Sequence, residues 1–305
     1  MPLKKPYWHR IILICIVISL CNTAEAKDST HFKNRKQLLI GSNLIGYSSL
    51  MVGLNELWYK DYPTSKFHFF NDNQQWLQMD KIGHAFSCYY EGLAGIRMMK
   101  WAGFNHKQSN IIGGSYGLFV QTGIEVLDGF SEAWGASSGD MIANISGTAL
   151  VVIQGLYWDE QKLLLKYSYS PTKYPDFRPE LLGSSLSEQI LKDYNGQTYW
   201  LSCNIHSIFP EKKFPNWLNI AFGYGAQGMV GGNDNIFERE NAIYDYSFLS
   251  RNRQFYISPD IDLSKLKIDN KLLKSFIIVI NCIKFPMPAL EYHTNRGFVG
   301  HWMMF

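Results

Sequence analysis

Three otherwise apolar segments of this chain carry ionisable or amide side chains at helical spacing, and this pattern constrains the fold more than any other. The segments are Asp80–His84, Glu125–Asp128 and Asp140–Asn144. Moving a carboxylate or an imidazole out of water is unfavourable unless a partner lies nearby. Charged side chains inside hydrophobic helices therefore tend to meet one another in a shared site. We expect the three segments to lie side by side around such a site.

The first segment has the spacing of an oriented histidine. Residues four apart lie on one face of a helix, so the carboxylate of Asp80 can accept a hydrogen bond from His84 and select its tautomer. Lys81 is interpreted as a counter-ion to one of the carboxylates. The candidate catalytic residues are His84, Asp80, Glu125 and Asp140, and the candidate binding residues are Lys81, Asp128, Asn144 and Ser138.

The amino terminus has the three parts of a secretory signal peptide. Basic residues up to Arg10 precede the apolar run 11–21, and a small-x-small site ends at Ala26. We predict a signal peptide over 1–26 with cleavage after Ala26. Lipidation of Cys21 ranks second, because Leu20 is large for the position before a lipidated cysteine. The protein is expected to be exported, periplasmic or membrane-associated, with inner and outer membrane left open.

The amino-acid composition limits which kinds of binding partner are expected. Charged residues make up 18% of the 305 residues and aromatic residues 15%, which favours a lipid-facing or unusually apolar protein. The net charge of +3 is spread along the chain without a basic cluster beyond the start, so nucleic acid is excluded as an expected partner. We expect contact with membrane lipid or another envelope component, while a protein partner stays unknown.

The predicted fold class is α+β. An N-terminal helical bundle over 27–158, containing the polar cluster, precedes a linker with a short helix over 159–196 and a β-rich antiparallel region over 197–305. Apolar helices are predicted at about 37–59, 75–99, 109–130 and 138–158, a short helix at 187–194 and a further one at 272–282. Strands are predicted at 198–205, 219–226, 254–263 and 297–305. Whether the bundle is soluble or embedded in a membrane is left open.

The order of these motifs resembles that of VanZ-like bacterial membrane proteins. The resemblance lies in the Asp-Lys-x-x-His segment, the later Glu125, and the spaced Ser138, Asp140, Asn144 and Gly147. The chain more closely resembles a family of bacterial envelope proteins that includes the YfiM-type lipoproteins. The resemblance covers about 58–158 and implies an envelope location without supplying an activity. VanZ-like proteins usually carry an arginine between the glutamate and the aspartate, and residues 129–135 contain none.

Two hypotheses follow for the function. In the first, the polar cluster has a structural or binding role in the helical bundle, while the aromatic sheet contacts membrane or a partner. In the second, the protein is a hydrolase or transferase acting on a lipid-linked or cell-wall substrate. His84 would then be a general base oriented by Asp80, with Glu125 and Asp140 as acid or as ligands of a hard divalent cation. Such ligands suit Mg²⁺ or Mn²⁺ better than Zn²⁺.

Overall fold

The computed structural model of the protein describes residues 29–60, 62–239 and 241–304. The predicted signal peptide, its cleavage site after Ala26 and the alternative lipidation site Cys21 lie outside the described residues. Within them the chain is a mixed helical and antiparallel β protein, in which a helical part precedes a sheet. This order agrees with the predicted α+β class.

Four long helices form the first part of the chain, each over a range close to the predicted one. They are α1 Ser29–Leu54, α2 Met79–Trp101, α3 Tyr116–Gly129 and α4 Ser138–Tyr157. A π-helical turn, Asn55–Tyr59, extends α1, and another, Ser109–Gly113, precedes α3. Helices α2, α3 and α4 pack closely, whereas α1 exposes most of its apolar side chains. A bundle of four equivalent helices is therefore not confirmed.

Close approach of α2 and α4 depends on Gly147. A Cβ atom at this position would collide with the backbone carbonyl of Ala85 on α2. Gly95 of α2 is equally close to the carbonyl of Gly113. Small residues at these crossings bring the polar side chains of neighbouring helices within reach of one another.

The second part is a six-stranded antiparallel sheet in the order β1-β2-β3-β6-β7-β8. Its strands are β1 Leu163–Tyr169, β2 Gln197–Asn204, β3 Leu218–Gln227, β6 Asn252–Ile261, β7 Met287–His293 and β8 Gly297–Met304. Strands β4 Ile236–Arg239 and β5 Ala242–Asp245 form a separate two-stranded sheet. The four predicted strands correspond to β2, β3, β6 and β8.

Strand β1 lies inside the stretch predicted as a linker. Its seven residues pair along their whole length with β2, from Leu163 opposite Cys203 to Tyr169 opposite Gln197. Residues 163–169 are therefore part of the sheet. Strand β7 was also not predicted. Helix α5, Leu186–Lys192, and helix α6, Lys271–Ile280, match the two shorter predicted helices to within two residues.

The two faces of the six-stranded sheet have opposite character. We call the buried face the inner face; it carries the buried rings of Trp200 and Tyr256 together with polar side chains, including Lys166, Ser202, Asn219, Asp260 and Glu291. The other is the outer face, whose uncovered region consists of exposed apolar side chains on β3, β6, β7 and β8. These are Phe222, Phe255, Ile257, Leu290, Tyr292, Phe298 and Trp302. Apolar side chains here point away from the protein interior.

Helix α2 covers the remaining part of the outer face. The hydroxyl of Tyr89 donates to the carbonyl of Leu163, and that of Tyr90 donates to the carbonyl of Leu165. Phe86 packs against the rings of Tyr90 and Tyr199. The helix that carries the first polar segment is thus fixed directly on β1 and β2.

Two helices are long and apolar enough to cross a membrane by length and composition alone. They are the part of α1 from Lys33 to Leu54, which is not buried, and α4, of which 39% of the apolar window is buried. The core helix of a soluble protein passes the same test, so embedding in a membrane does not follow from this finding.

We expect Gly147→Ala to destabilise the protein by about 1 to 3 kcal/mol, because the new methyl group would push α4 away from the backbone of α2. Urea denaturation followed by circular dichroism would measure the loss. The matched control is Gly46→Ala on α1, where nothing lies within 4 Å of the added Cβ. There alanine should be neutral or stabilising by up to about 1 kcal/mol. Equal effects of the two substitutions would contradict the close contact.

Candidate functional site

The three polar segments meet where α2, α3 and α4 pack together, as expected from their pattern. Within this polar cluster, the Nε2 atom of His84 lies 4.0 Å from Asp80 Oδ1 and 3.9 Å from Asp140 Oδ1. Its Nδ1 atom lies 3.9 Å from Glu125 Oε1 and 3.1 Å from Asn144 Oδ1. Both Glu125 and Asp140 are 4% exposed, so the carboxylates are withdrawn from bulk water.

Lys81 neutralises part of this negative charge. Its ammonium lies 2.6 Å from Asp72 Oδ2, 2.8 Å from Asp140 Oδ1 and 3.5 Å from Asp80 Oδ2. Burial acts to lower the pKa of Lys81, but the bonds with Asp140 and Asp72 outweigh it and raise that pKa. Lys81 is therefore the counter-ion of three carboxylates rather than of one.

The N-terminus of α4 is built into the cluster through Ser137. Its hydroxyl accepts a hydrogen bond from the backbone N–H of Asp140 and so caps the helix, while donating to Asp72 Oδ1 at 2.5 Å. Its own backbone N–H donates to Glu125 Oε2 at 2.8 Å. Ser138, a predicted binding residue, has an exposed side chain and lies outside the cluster. Ser137 performs the capping role.

Two tyrosines and one aspartate complete the cluster from segments that the sequence pattern does not single out. Tyr194, which follows α5, donates a hydrogen bond of 2.7 Å to Asp80 Oδ1. Tyr59, in the turn after α1, donates one of 2.7 Å to Asp128 Oδ1. Asp72 lies in the loop before α2. Asp72 lies in a predicted connection and each tyrosine ends a predicted helix, and no spacing signal connects any of the three with α2.

The electrostatics of the cluster are dominated by an excess of carboxylates. Within the described part of the chain, Asp72, Asp80, Glu125, Asp128 and Asp140 face two cationic groups, Lys81 and His84. Burial raises the pKa of Glu125 to about 7 and the pKa values of Asp128 and Asp140 to about 6. Neighbouring carboxylates add to this effect in all three cases.

For His84, unlike for the three carboxyl groups, the cluster favours the charged form. Burial acts to lower its pKa, but the carboxylates of Asp80, Asp140 and Glu125 outweigh burial and raise the pKa of the imidazole. For Asp72, likewise, burial acts to raise the pKa, but the bonds from Lys81 and Ser137 lower it. The cluster thus favours a positive charge on the ring and a negative charge on Asp72.

Glu91, one turn beyond Cys88 on the same helix, forms a separate polar contact. Its Oε1 accepts a hydrogen bond of 3.0 Å from Gln121 on α3, while its Oε2 is inaccessible to solvent. Burial raises the pKa of Glu91 to about 8. Arg97, also on α2, has its own pKa lowered by burial, which outweighs the opposing effect of Tyr90 and Tyr89.

We expect Lys81→Met to destabilise the protein by about 3 kcal/mol, because Asp72 and Asp140 would lose their shared cation in a partly buried site. The control is Lys100→Met, which removes an exposed pair with Asp159 and should change stability by less than about 1 kcal/mol. Urea denaturation of both variants at neutral pH measures the difference. Comparable losses would show that Lys81 is dispensable for the cluster.

The pH dependence of stability should change in Glu91→Gln. In the parent protein this carboxyl loses its proton near pH 4.5 when unfolded and near pH 8 when folded. The folded state therefore binds more protons between these values, and its stability falls as the pH rises through that window. Glutamine removes this fall, so the variant should exceed the parent by about 1 to 4 kcal/mol above pH 8. Denaturation at pH 5, 7 and 9 tests this, and a pH-independent difference would refute it.

The charged residues of the cluster lie within a part of the chain that matches a known protein family. Residues 68–155 match a family model described as "Predicted periplasmic lipoprotein (DUF2279)". Searches of curated proteins and of solved structures find no match. The matched segment contains Asp72, Lys81, His84, Glu125 and Asp140. It confirms the expected envelope location, whereas the VanZ-like motif order remains a prediction. Residues 68–155 are thus similar to a family of predicted periplasmic lipoproteins, whose description names no activity.

Proposed function

We propose that the protein is a membrane-associated envelope protein in which the polar cluster is structural. The cluster fastens the helices to one another and to the sheet, and the apolar outer face contacts membrane lipid. One observation carries the proposal: the charged groups are shared between segments that lie far apart in the chain. Lys81 of α2 contacts both Asp72 and Asp140. Asp80 accepts a hydrogen bond from Tyr194, which lies between α5 and β2.

The start of α2 is fastened to the sheet in the same way. Trp76, Leu77 and Gln78 adopt left-handed backbone conformations, with φ values of 49°, 50° and 67°. Such conformations cost about 1 kcal/mol or more at each residue unless surrounding contacts hold them. Tyr224 of β3 donates to the carbonyl of Leu77 at 2.5 Å, and Arg253 of β6 donates to Gln78 Oε1 at 2.8 Å. These contacts hold the turn from which Asp80 and His84 project.

The position of the cavities favours this role over the hydrolase or transferase alternative. Cavities of about 590, 280 and 200 Å³ occur in the described part of the chain, and their linings do not include His84, Glu125 or Asp140. A substrate such as a lipid-linked sugar needs a cleft of several hundred Å³ at the reacting groups. The largest of these three cavities instead lies on the sheet, between residues such as Ile257, Leu290 and Trp302.

The outer face supports the lipid contact. Phe298 and Trp302 on β8 are 73% and 93% exposed, and the neighbouring strands continue the apolar surface. A contiguous apolar surface of this kind marks an interaction site. Aromatic rings with polar tips suit the boundary between lipid and water. Helices α1 and α4 add further exposed apolar side chains, among them Leu44, Ile45 and Ile142.

The family description supports lipid rather than a protein as the occupant of these surfaces. A lipoprotein is anchored through an N-terminal cysteine, and Cys21 precedes the first described residue of α1 by eight positions. Eight residues span at most about 29 Å. An anchor at Cys21 would therefore keep Ser29, where α1 begins, within that distance of the membrane surface.

The test is vesicle binding by the double variant Phe298→Ser/Trp302→Ser. It is made in a Cys21→Ser background, so that an attached lipid cannot mask the contribution of the protein surface. Removal of two exposed rings should weaken co-sedimentation with phospholipid vesicles about tenfold or more, since each buried ring contributes roughly 1.5 kcal/mol or more. Thermal unfolding should change little, because both side chains are exposed.

The control is Ile236→Ser/Ile243→Ser, which removes two exposed apolar side chains from the separate two-stranded sheet. This variant should bind vesicles like its parent. Unchanged binding by the β8 variant, or an equal loss in the control, would refute lipid contact through the outer face.

A further inference from the structure

The geometry around Nε2 of His84 is too open for hydrogen bonds. Its distances of 4.0 Å to Asp80 Oδ1 and 3.9 Å to Asp140 Oδ1 exceed the hydrogen-bond range. The three donor atoms nevertheless lie within 4.8 Å of one another. Two ligands of one cation, each at about 2.0 to 2.6 Å from it, are separated by distances of this size. The spacing fits three ligands around a single ion.

Each of the three donor groups is held in place by a partner outside the trio. The Nδ1 atom of His84 donates to the amide oxygen of Asn144, which leaves Nε2 on the side of the two carboxylates. Tyr194 donates to Asp80, and Lys81 lies against Asp140. Partners of this kind, which orient an imidazole and its neighbouring carboxylates, are typical of metal sites in proteins.

A buried, unpaired oxygen of Glu125 next to His84 is an independent observation that supports a bound cation. The side chain is only 4% exposed, and its Oε1 has no hydrogen-bond partner among the described residues. This oxygen faces the ring of His84 at 3.9 Å. Leaving a buried charged oxygen without a partner is unfavourable by about 1 to 3 kcal/mol or more. A cation bound to His84 would add positive charge next to it.

We infer that Asp80, His84 and Asp140 form a binding site for a divalent transition-metal cation of the Mn²⁺ class. Two carboxylates and one imidazole combine hard oxygen donors, which suit Mn²⁺, with a nitrogen donor that Ca²⁺ and Mg²⁺ rarely use. The cation takes the position of the Nε2 proton and offsets the excess of carboxylates. The inference deepens the proposed structural role and rests on it, because the same cluster then fastens the fold through a metal.

The test uses the full-length protein, stripped of metals with a chelator and titrated with MnCl₂. Bound Mn²⁺ loses the sharp six-line electron paramagnetic resonance signal of the free ion, so the spectrum counts bound ions directly. We expect one ion per chain in the parent protein. Absence of binding in the folded parent would overturn the inference, whatever the variants do.

The variants then locate the ion. Asp140→Asn and His84→Gln should weaken Mn²⁺ binding by about 100-fold or more. Tyr194→Phe should weaken it by about tenfold, because the lost hydroxyl only orients Asp80. The matched control is Asp159→Asn. It removes a surface carboxylate that lies 3.1 Å from His106 Nε2, an exposed Asp–His pair where adventitious binding would occur. It should bind like the parent, and a loss of the ion in this control would instead assign it to the surface.

Failure of the inference can be told apart from failure of the proposed function. Circular dichroism establishes that each variant is folded, and thermal unfolding of the parent should shift upward with saturating MnCl₂, because the ion binds only the folded cluster. If Mn²⁺ does not bind while vesicle binding still depends on Phe298 and Trp302, the metal site is wrong and the proposed lipid contact stands. If Mn²⁺ binds and vesicle binding is independent of both rings, the reverse holds.

Discussion

The ammonium of Lys81 is the group on which the rest of the helical part depends. It lies between carboxylates of the loop before α2, of α2 itself and of α4, which repel one another in a partly buried site. Attraction between opposite charges is much stronger there than in water, and so is repulsion between like charges. A cation at this point lets α4 approach α2 closely enough for Gly147 to contact Ala85. Electrostatic pairing and backbone packing therefore require each other.

The sheet also contains buried charged groups that are paired with one another. On its inner face, Lys166 lies 2.8 Å from Asp260 and donates to the carbonyl of Ile261, while Lys284 donates to the carbonyls of Pro259 and Phe285. Burial lowers the pKa of Lys284 to about 8. Charged side chains thus lie on the inner face beside the buried rings of Trp200 and Tyr256, and the exposed rings lie on the outer face.

Much of the helical part could be predicted from sequence because α2, α3 and α4 combine long apolar runs with polar residues at helical spacing. The same pattern predicted that His84, Glu125, Asp140 and Asn144 would be neighbours. It could not predict Asp72, Tyr59 or Tyr194, whose positions depend on how loops pack in three dimensions. Strand β1, Leu163–Tyr169, was missed because the stretch around it is rich in Lys, Ser and Pro, and because it forms a strand by pairing with β2. Ser138 and Ser137 differ by one position, and only the backbone at Ser137 is extended as a cap requires.

The charged members of the cluster all lie within the family segment 68–155, whereas two of its hydrogen-bond donors, Tyr59 and Tyr194, come from outside. A phenol hydroxyl is neutral, and burial and the neighbouring carboxylate raise the pKa of both tyrosines further above the physiological range. The sheet is therefore joined to the cluster without changing its charge balance. The ionic equilibrium of Lys81, His84 and the carboxylates belongs to the segment from 68 to 155 alone. The attached sheet can be specialised for its outer face without disturbing that balance.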